Sequence, residues 1–184
     1  MSTFEFVFSL LSLLLGLSMA EVLGGVARTV EARGRAPVSW LNMLLAVLMI
    51  ADIVSFWGAA WFMRDRVEFS YVVLIGSTLF ASAYYVAAYL VFPRTVAPER
   101  EKDDHFYTVR GPVIGIMLAA NLTQLGLFVR LLGWDYYWPE GLDILVKAAV
   151  VWLLMAACIF VRGPRLTLAT MAVATSAYVA GLFG

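Results

Sequence analysis

The stretch LNMLLAVLMIADIVSFWGAAWF (Leu41–Phe62) decides the fold. Its polar residues are Asn42, Asp52 and Ser55. As a helix it extends about 33 Å at 1.5 Å per residue, enough to cross a hydrocarbon core of about 30 Å. Asp52 then falls near the middle of the span. A carboxylate at that depth costs about 2.5–3.5 kcal/mol on insertion scales, so a working role and a polar rivet between helices are the two readings open to it.

Working outward, the rest of the chain repeats this pattern. Apolar blocks separated by charge, Gly and Pro predict six transmembrane helices: about 4–27, 40–63, 69–92, 112–132, 142–161 and 166–183. Pro93 closes the third, and the RGP at Arg110–Pro112 reads as the entry to the fourth. The fold class is all-α, a single six-helix transmembrane domain covering 1–184. The first block has neither a basic n-region nor a small-residue cleavage site, so it reads as a retained helix and not a signal peptide.

Composition supports the same class and excludes others. Hydrophobic residues make up 62% of the 184 and charged ones 14%, against about 25% charged in soluble proteins. Thirteen basic residues balance thirteen acidic ones, which argues against a nucleic-acid partner. Cys158 is the only cysteine and His105 the only histidine. Thiolate clusters and bis-histidine haem ligation are therefore not expected within one chain, and no cofactor or metal is implied. No zinc-protease helix, nucleophile elbow or phosphate loop is present, so no enzymatic reaction is expected. Glu99, Glu101, Asp103, Asp104 and His105 crowd the longest connection, but without calcium-loop spacing they read as a solvated charged loop.

Basic residues set the expected orientation. The first, third and fifth connections hold Arg28, Arg33, Arg35, Arg94, Arg100, Lys102, Arg110, Arg162 and Arg165; the second and fourth hold Arg64, Arg66 and Arg130. Nine against three places the odd-numbered connections in the cytoplasm and both termini on the periplasmic or extracellular side of an inner (plasma) membrane. Trp57, Trp61, Phe62 and the WDYYW run at Trp134–Trp138 gather at the outer end, as interfacial aromatics do.

Inside the spans, the candidates for a transport path are Asp52, Asn121, Gln124, Glu21, Lys147 and Ser55. Ser55 lies one turn from Asp52, and Asn121 and Gln124 share a face of the fourth helix. Asn121 matches Asp52 in depth. Carboxylates and amides spaced through a bundle lower the barrier to a proton or small cation. Each also has a packing role open to it: Lys147 can snorkel, Asn121 and Gln124 can bond between helices, and Glu21 can pair with Arg28. Ser12, Gly16, Ala20 and Gly24 recur every fourth residue, predicting a close-packing stripe on the first helix. LGGVAR (Leu23–Arg28) and LGLFVR (Leu125–Arg130) hint at a three-plus-three inverted repeat.

SLLSLLLGLSMAEVLGGVAR (Ser9–Arg28), followed by Ser39-Trp40, Phe56-Trp57 and Trp61, resembles small bacterial polytopic membrane proteins. That resemblance implies a six-span fold and no activity. The residues themselves favour an ion or proton channel, or a small-solute transporter, working through Asp52. The competing reading is a non-transporting accessory, sensor or assembly subunit. The bilayer is the expected partner, with a small cation or proton as the transported species, and a homo-oligomer is compatible with so small a chain.

Overall fold

The computed structural model describes residues 3–33, 38–67, 70–93, 103–138 and 141–181. Among these it has six α-helices: α1 (Thr3–Glu31), α2 (Trp40–Phe62), α3 (Tyr71–Val91), α4 (Asp104–Leu132), α5 (Leu142–Phe160) and α6 (Pro164–Gly181). A single 3-10 turn, Trp134–Tyr136, links α4 to α5. Helices α1 to α5 are each long and apolar enough to cross a bilayer. Helix α6 has 18 residues, opens on Pro164 and Arg165, and lies outside that set.

Helix boundaries follow local chemistry. Ser39 and Ser70 cap α2 and α3, their hydroxyls accepting from the backbone N–H of Asn42 (3.4 Å) and Val73 (3.2 Å), which satisfies an otherwise orphaned donor. Gly133 (φ 82°) and Gly163 (φ 95°) take left-handed backbone where α4 ends and where α5 turns into α6, a conformation that a Cβ disfavours.

Helix α4 departs from the expected boundary. It begins at Asp104, two turns before Pro112, and runs straight through that proline. Proline removes the bond to the carbonyl four residues back. Here the early segment is held instead by packing, with Phe106, Val109 and Arg110 all buried. Arg110 ties it down further: its Nη1 donates to the carbonyls of Cys158 (3.1 Å) and Val161 (2.6 Å) at the end of α5, and its guanidinium lies 4.8 Å from the Tyr107 ring centre. A cation at a helix C-terminus is favourably placed against the helix dipole. The Asp103–His105 part of the expected charged loop is thus structured. Asp103 accepts from Ser39 Oγ at 2.8 Å and His105 Nε2 lies 2.9 Å from the Leu90 carbonyl; Glu99 and Glu101 lie outside the described residues.

End contacts show that successive helices alternate in direction. At one end the ends of α1 and α3 meet through Gly25 and Phe92, Ser39 meets Asp103, and α4 meets α5 through Arg110. We call this the basic end. At the other, the rings of Phe62 and Phe128 lie 6.3 Å apart and Trp57 Nε1 donates to Ser12 Oγ at 3.2 Å. This aromatic end also carries Trp61, Trp134 and Trp138, all exposed.

Helix α2 is the hub, packing against α1, α3, α4 and α6, while α5 touches only its neighbours α4 and α6 to any extent. Leu45, Leu48, Met49 and Ile53 of α2 are fully buried with Met117 of α4 and Met171 of α6. The outer surface is apolar: Val72, Leu79, Leu153 and Phe160 are each more than two-thirds exposed or close to it (81%, 67%, 69% and 77%). An apolar belt of this kind is unfavourable in water and natural in lipid.

Two packing expectations are corrected. The buried face of α1 is Leu11, Leu15, Ser18, Val22 and Gly25, not the small-residue stripe. Ser12 touches α2 through Trp57, but Ala20 is exposed, a Cβ on Gly16 would meet nothing within 4 Å, and one on Gly24 would meet only the Arg28 side chain. The close approach falls at Gly25, where a Cβ would sit 2.1 Å from the Phe92 ring. Nor does the packing follow an inverted repeat: α1 and α3 share the most extensive interface of the bundle, whereas their counterparts α4 and α6 barely touch.

Gly25 and Gly16 therefore respond differently to the same change. Gly25→Ala drives a methyl into Phe92 and costs about 1–3 kcal/mol, the usual range for overpacking; Gly16→Ala is neutral or slightly stabilising. Thermal unfolding of both variants in detergent micelles checks this, and equal midpoints would contradict the assignment of the close contact.

Candidate functional site

Asp52 is the thirteenth residue of the 23 in α2, and it is 1% exposed. A helix leaves its backbone groups satisfied, so the carboxylate must find partners on neighbouring helices. Three provide them. Tyr84 of α3 donates its hydroxyl to Oδ2 at 2.7 Å. Asn121 of α4 donates Nδ2 to Oδ1 at 2.8 Å, and Tyr178 of α6 donates its hydroxyl to the same oxygen. One side chain thus joins α2, α3, α4 and α6.

The donors are themselves held. Asn121 Nδ2 also donates to the Met117 carbonyl at 2.9 Å, so both its protons are used and the amide has one orientation. Ser55, one turn along α2, lies 2.9 Å from the Tyr178 hydroxyl and 2.7 Å from the Asp52 carbonyl oxygen. Tyr84 packs into an aromatic group with Phe80 (centres 5.2 Å apart) and Phe56 (6.4 Å), and the two phenylalanines stack at 4.2 Å. Asp52, Tyr178 and Ser55 form a continuous chain of oxygens on one side; Phe56, Phe80 and Tyr84 form an aromatic wall on the other.

Chemically, the site can hold a proton more readily than a metal ion. A cation needs oxygen acceptors turned towards it, whereas the oxygens of Asp52 already face N–H and O–H donors. No group of three or more His, Cys, Asp or Glu capable of holding a metal occurs among the described residues. A proton changes only the hydroxyl rotors: with Asp52 as a carboxylic acid, its O–H can donate to Tyr84, whose oxygen then accepts. Among the described residues no cationic side chain reaches Asp52.

Of the six path candidates, the structure brings together Asp52, Asn121 and Ser55. Gln124 is half-buried one turn beyond Asn121. Lys147 is turned outward, its side chain 70% exposed and 3.6 Å from Asp143. Glu21 lies 3.5 Å from Arg28. Neither joins the cluster, because a long side chain near a helix end reaches the interface more cheaply than the core.

Tyr84 and Tyr178 were not among the residues picked out from sequence, since tyrosine in a span reads as an interfacial residue. A signal for them exists in the local sequence: both end the triplet Ser-Ala-Tyr (Ser82–Tyr84 and Ser176–Tyr178), and Tyr84 lies well inside α3, whereas Tyr178 lies three residues before the end of α6 at Gly181. A hydroxyl within a span and flanked by small residues is a close-packed donor in search of an acceptor.

The donor arrangement separates two substitutions. Asp52→Asn keeps every contact, with the amide oxygen accepting from Asn121 and Tyr178 and the amide nitrogen donating to Tyr84, so stability changes by about 1 kcal/mol or less. Asp52→Ala leaves the Tyr84 hydroxyl and one Asn121 N–H without their acceptor, each costing about 1–3 kcal/mol, while Tyr178 keeps Ser55 as an acceptor. Unfolding in detergent should rank wild type and Asp52→Asn together and Asp52→Ala far below; a similar loss for both variants would contradict the geometry. No family model, curated protein or solved structure matches this chain.

Proposed function

We propose that this chain is a six-span protein of the inner membrane, with both termini outside the cytoplasm, and that it moves protons through Asp52. The observation that carries the reading is a midspan carboxylate ringed by hydroxyl and amide donors from three helices, with no cationic partner among the described residues. An ionisable group at that depth is functional by default, and its surroundings suit a proton better than a larger ion. Helix α6 is counted as the sixth span on the apolar run 166–183 of the sequence: Arg165 sits in its first turn, within reach of the headgroups, and its described residues end at Gly181, one turn beyond Tyr178. The excess of arginine at the basic end supports a cytoplasmic location for that end.

A second reading has its own support. The 1% exposure of Asp52 and its three occupied donors also suit a fixed latch in a non-transporting subunit. Polar contacts of this kind hold membrane helices together at about 0.6 kcal/mol on average. Such a subunit would serve as an accessory, sensor or assembly factor of a larger complex.

Reconstituted liposomes carrying an internal pH indicator separate the two. Under an imposed potential the wild type should acidify the lumen faster than empty liposomes, and Asp52→Asn should lower the rate at least tenfold while remaining folded. Lys147→Ala should leave it unchanged, as Lys147 is exposed and outside the cluster. Flux equal to that of empty liposomes, together with a stoichiometric second protein in mild-detergent purification, would establish the latch reading instead. Reporters fused to each terminus should both be active outside the cytoplasm; a cytoplasmic signal from either would overturn the topology.

A further inference from the structure

The two halves of the bundle differ in what lies between Asp52 and each membrane face. Towards the basic end, the next turns of α2 bring Met49, Leu48 and Leu45, and those of α6 bring Ala174 and Met171, all 0% exposed. Thr175, one turn from Tyr178 in that direction, is buried, and its hydroxyl has no hydrogen-bond partner among the described residues. Towards the aromatic end the picture changes. Ser55 is only half-buried, and the next turn beyond it on α2 carries Gly58, exposed, where an added Cβ would meet nothing within 4 Å. Gly181, one turn beyond Tyr178 on α6, is likewise exposed and open among the described residues. On the α3 side of Asp52, the stacked Phe56 and Phe80 close the same half.

We infer that, in the conformation described, Asp52 exchanges its proton with the aromatic end, through Tyr178 and Ser55 along the seam between α2 and α6, so that passage to the basic end requires a second conformation. The inference rests on the reading of Asp52 as the proton-binding group and adds a direction to it. Ser55 Oγ donates to the Asp52 carbonyl oxygen, so its hydroxyl first rotates towards the Tyr178 oxygen 2.9 Å away, and the transfer is then a concerted shift along the chain. A hydronium ion at the outer seam gives a proton to Ser55 Oγ; Ser55 passes its own hydroxyl proton to the Tyr178 oxygen; Tyr178 passes its own to Asp52 Oδ1. Water, serine, tyrosine and a carboxylic acid remain, so one positive charge has been consumed by one carboxylate. Rotation of the two hydroxyls then restores the chain. The titratable groups facing Asp52 along this route are Tyr84 of α3 and Tyr178 of α6; α4 contributes the neutral Asn121, and among the described residues no charged side chain of α1 reaches it.

Cysteine accessibility tests the direction without relying on flux. In a Cys158→Ser background, Ser55→Cys, Gly58→Cys and Met49→Cys are treated with a membrane-impermeant methanethiosulfonate, in right-side-out and inside-out vesicles. Ser55→Cys and Gly58→Cys should react only from the side carrying the termini, and Met49→Cys from neither. Reaction of Ser55→Cys from the opposite side, reaction of Met49→Cys from that side, or resistance of Ser55→Cys where Gly58→Cys reacts would each overturn the proposed access. In liposomes, Tyr178→Phe should slow proton flux severalfold, whereas Leu153→Ala, at an exposed position of α5 away from the site, should not. Flux lost in Asp52→Asn alongside an unreactive Ser55→Cys would refute the direction and leave the proton reading standing; absent wild-type flux would refute the reading itself.

Discussion

A carboxylate in the middle of a helix that crosses lipid cannot be left without partners, and most of this bundle is arranged around that constraint. Water is missing at that depth and the backbone is already paired, so the donors must come from other helices. Helix α2 is consequently the hub, with Tyr84, Asn121 and Tyr178 drawing α3, α4 and α6 onto it. Helix α1 reaches α2 by a different bond, Trp57 to Ser12, and α5 stays at the edge, fastened by Arg110. The apolar contacts alone would leave helix rotations loosely specified in lipid, where hydrocarbon tails compete with side chains on nearly equal terms. Directional bonds to one pair of oxygens fix those rotations.

The same arrangement carries a tension between holding and working. Three donors on one carboxylate make a firm joint, and a firm joint is a poor carrier. Under the proposed function, what would let the site act as more than a joint is the amphoteric character of its hydroxyls: Tyr84, Tyr178 and Ser55 can each donate or accept. The cluster can therefore take up a proton without losing a contact. Asn121 is the fixed member, its two N–H groups committed to Asp52 and Met117.

Much of this was legible in the sequence, and the failures have physical causes. The helices themselves were visible as apolar runs of spanning length, and α2, α3 and α5 end within one or two residues of the expected positions. Helix α4 was read as starting at Pro112 because a proline usually opens a helix; buried Phe106, Val109 and Arg110 override that preference. On α1 the four-residue spacing of small side chains pointed to the wrong face, since small residues face lipid as readily as a neighbour, and only Gly25 meets one at close range. Asp52, Asn121 and Ser55 were found from polarity and depth. Their tyrosine partners were missed because the aromatic ring disguises a buried donor as an interfacial anchor. Which residues meet across helices depends on rotation about each axis, and apolar composition that is nearly uniform around a helix does not encode it.

The central claim is that Asp52 binds and releases a proton inside the intact bundle. Infrared difference spectroscopy of the protein in lipid bilayers, recorded as the external pH is stepped, reads that event directly from the carboxylic acid carbonyl stretch. The account predicts a carbonyl band that grows on acidification, shifts in heavy water and disappears in Asp52→Asn. A spectrum unchanged across the whole pH range in which the protein stays folded, or a band that persists in Asp52→Asn, would contradict it.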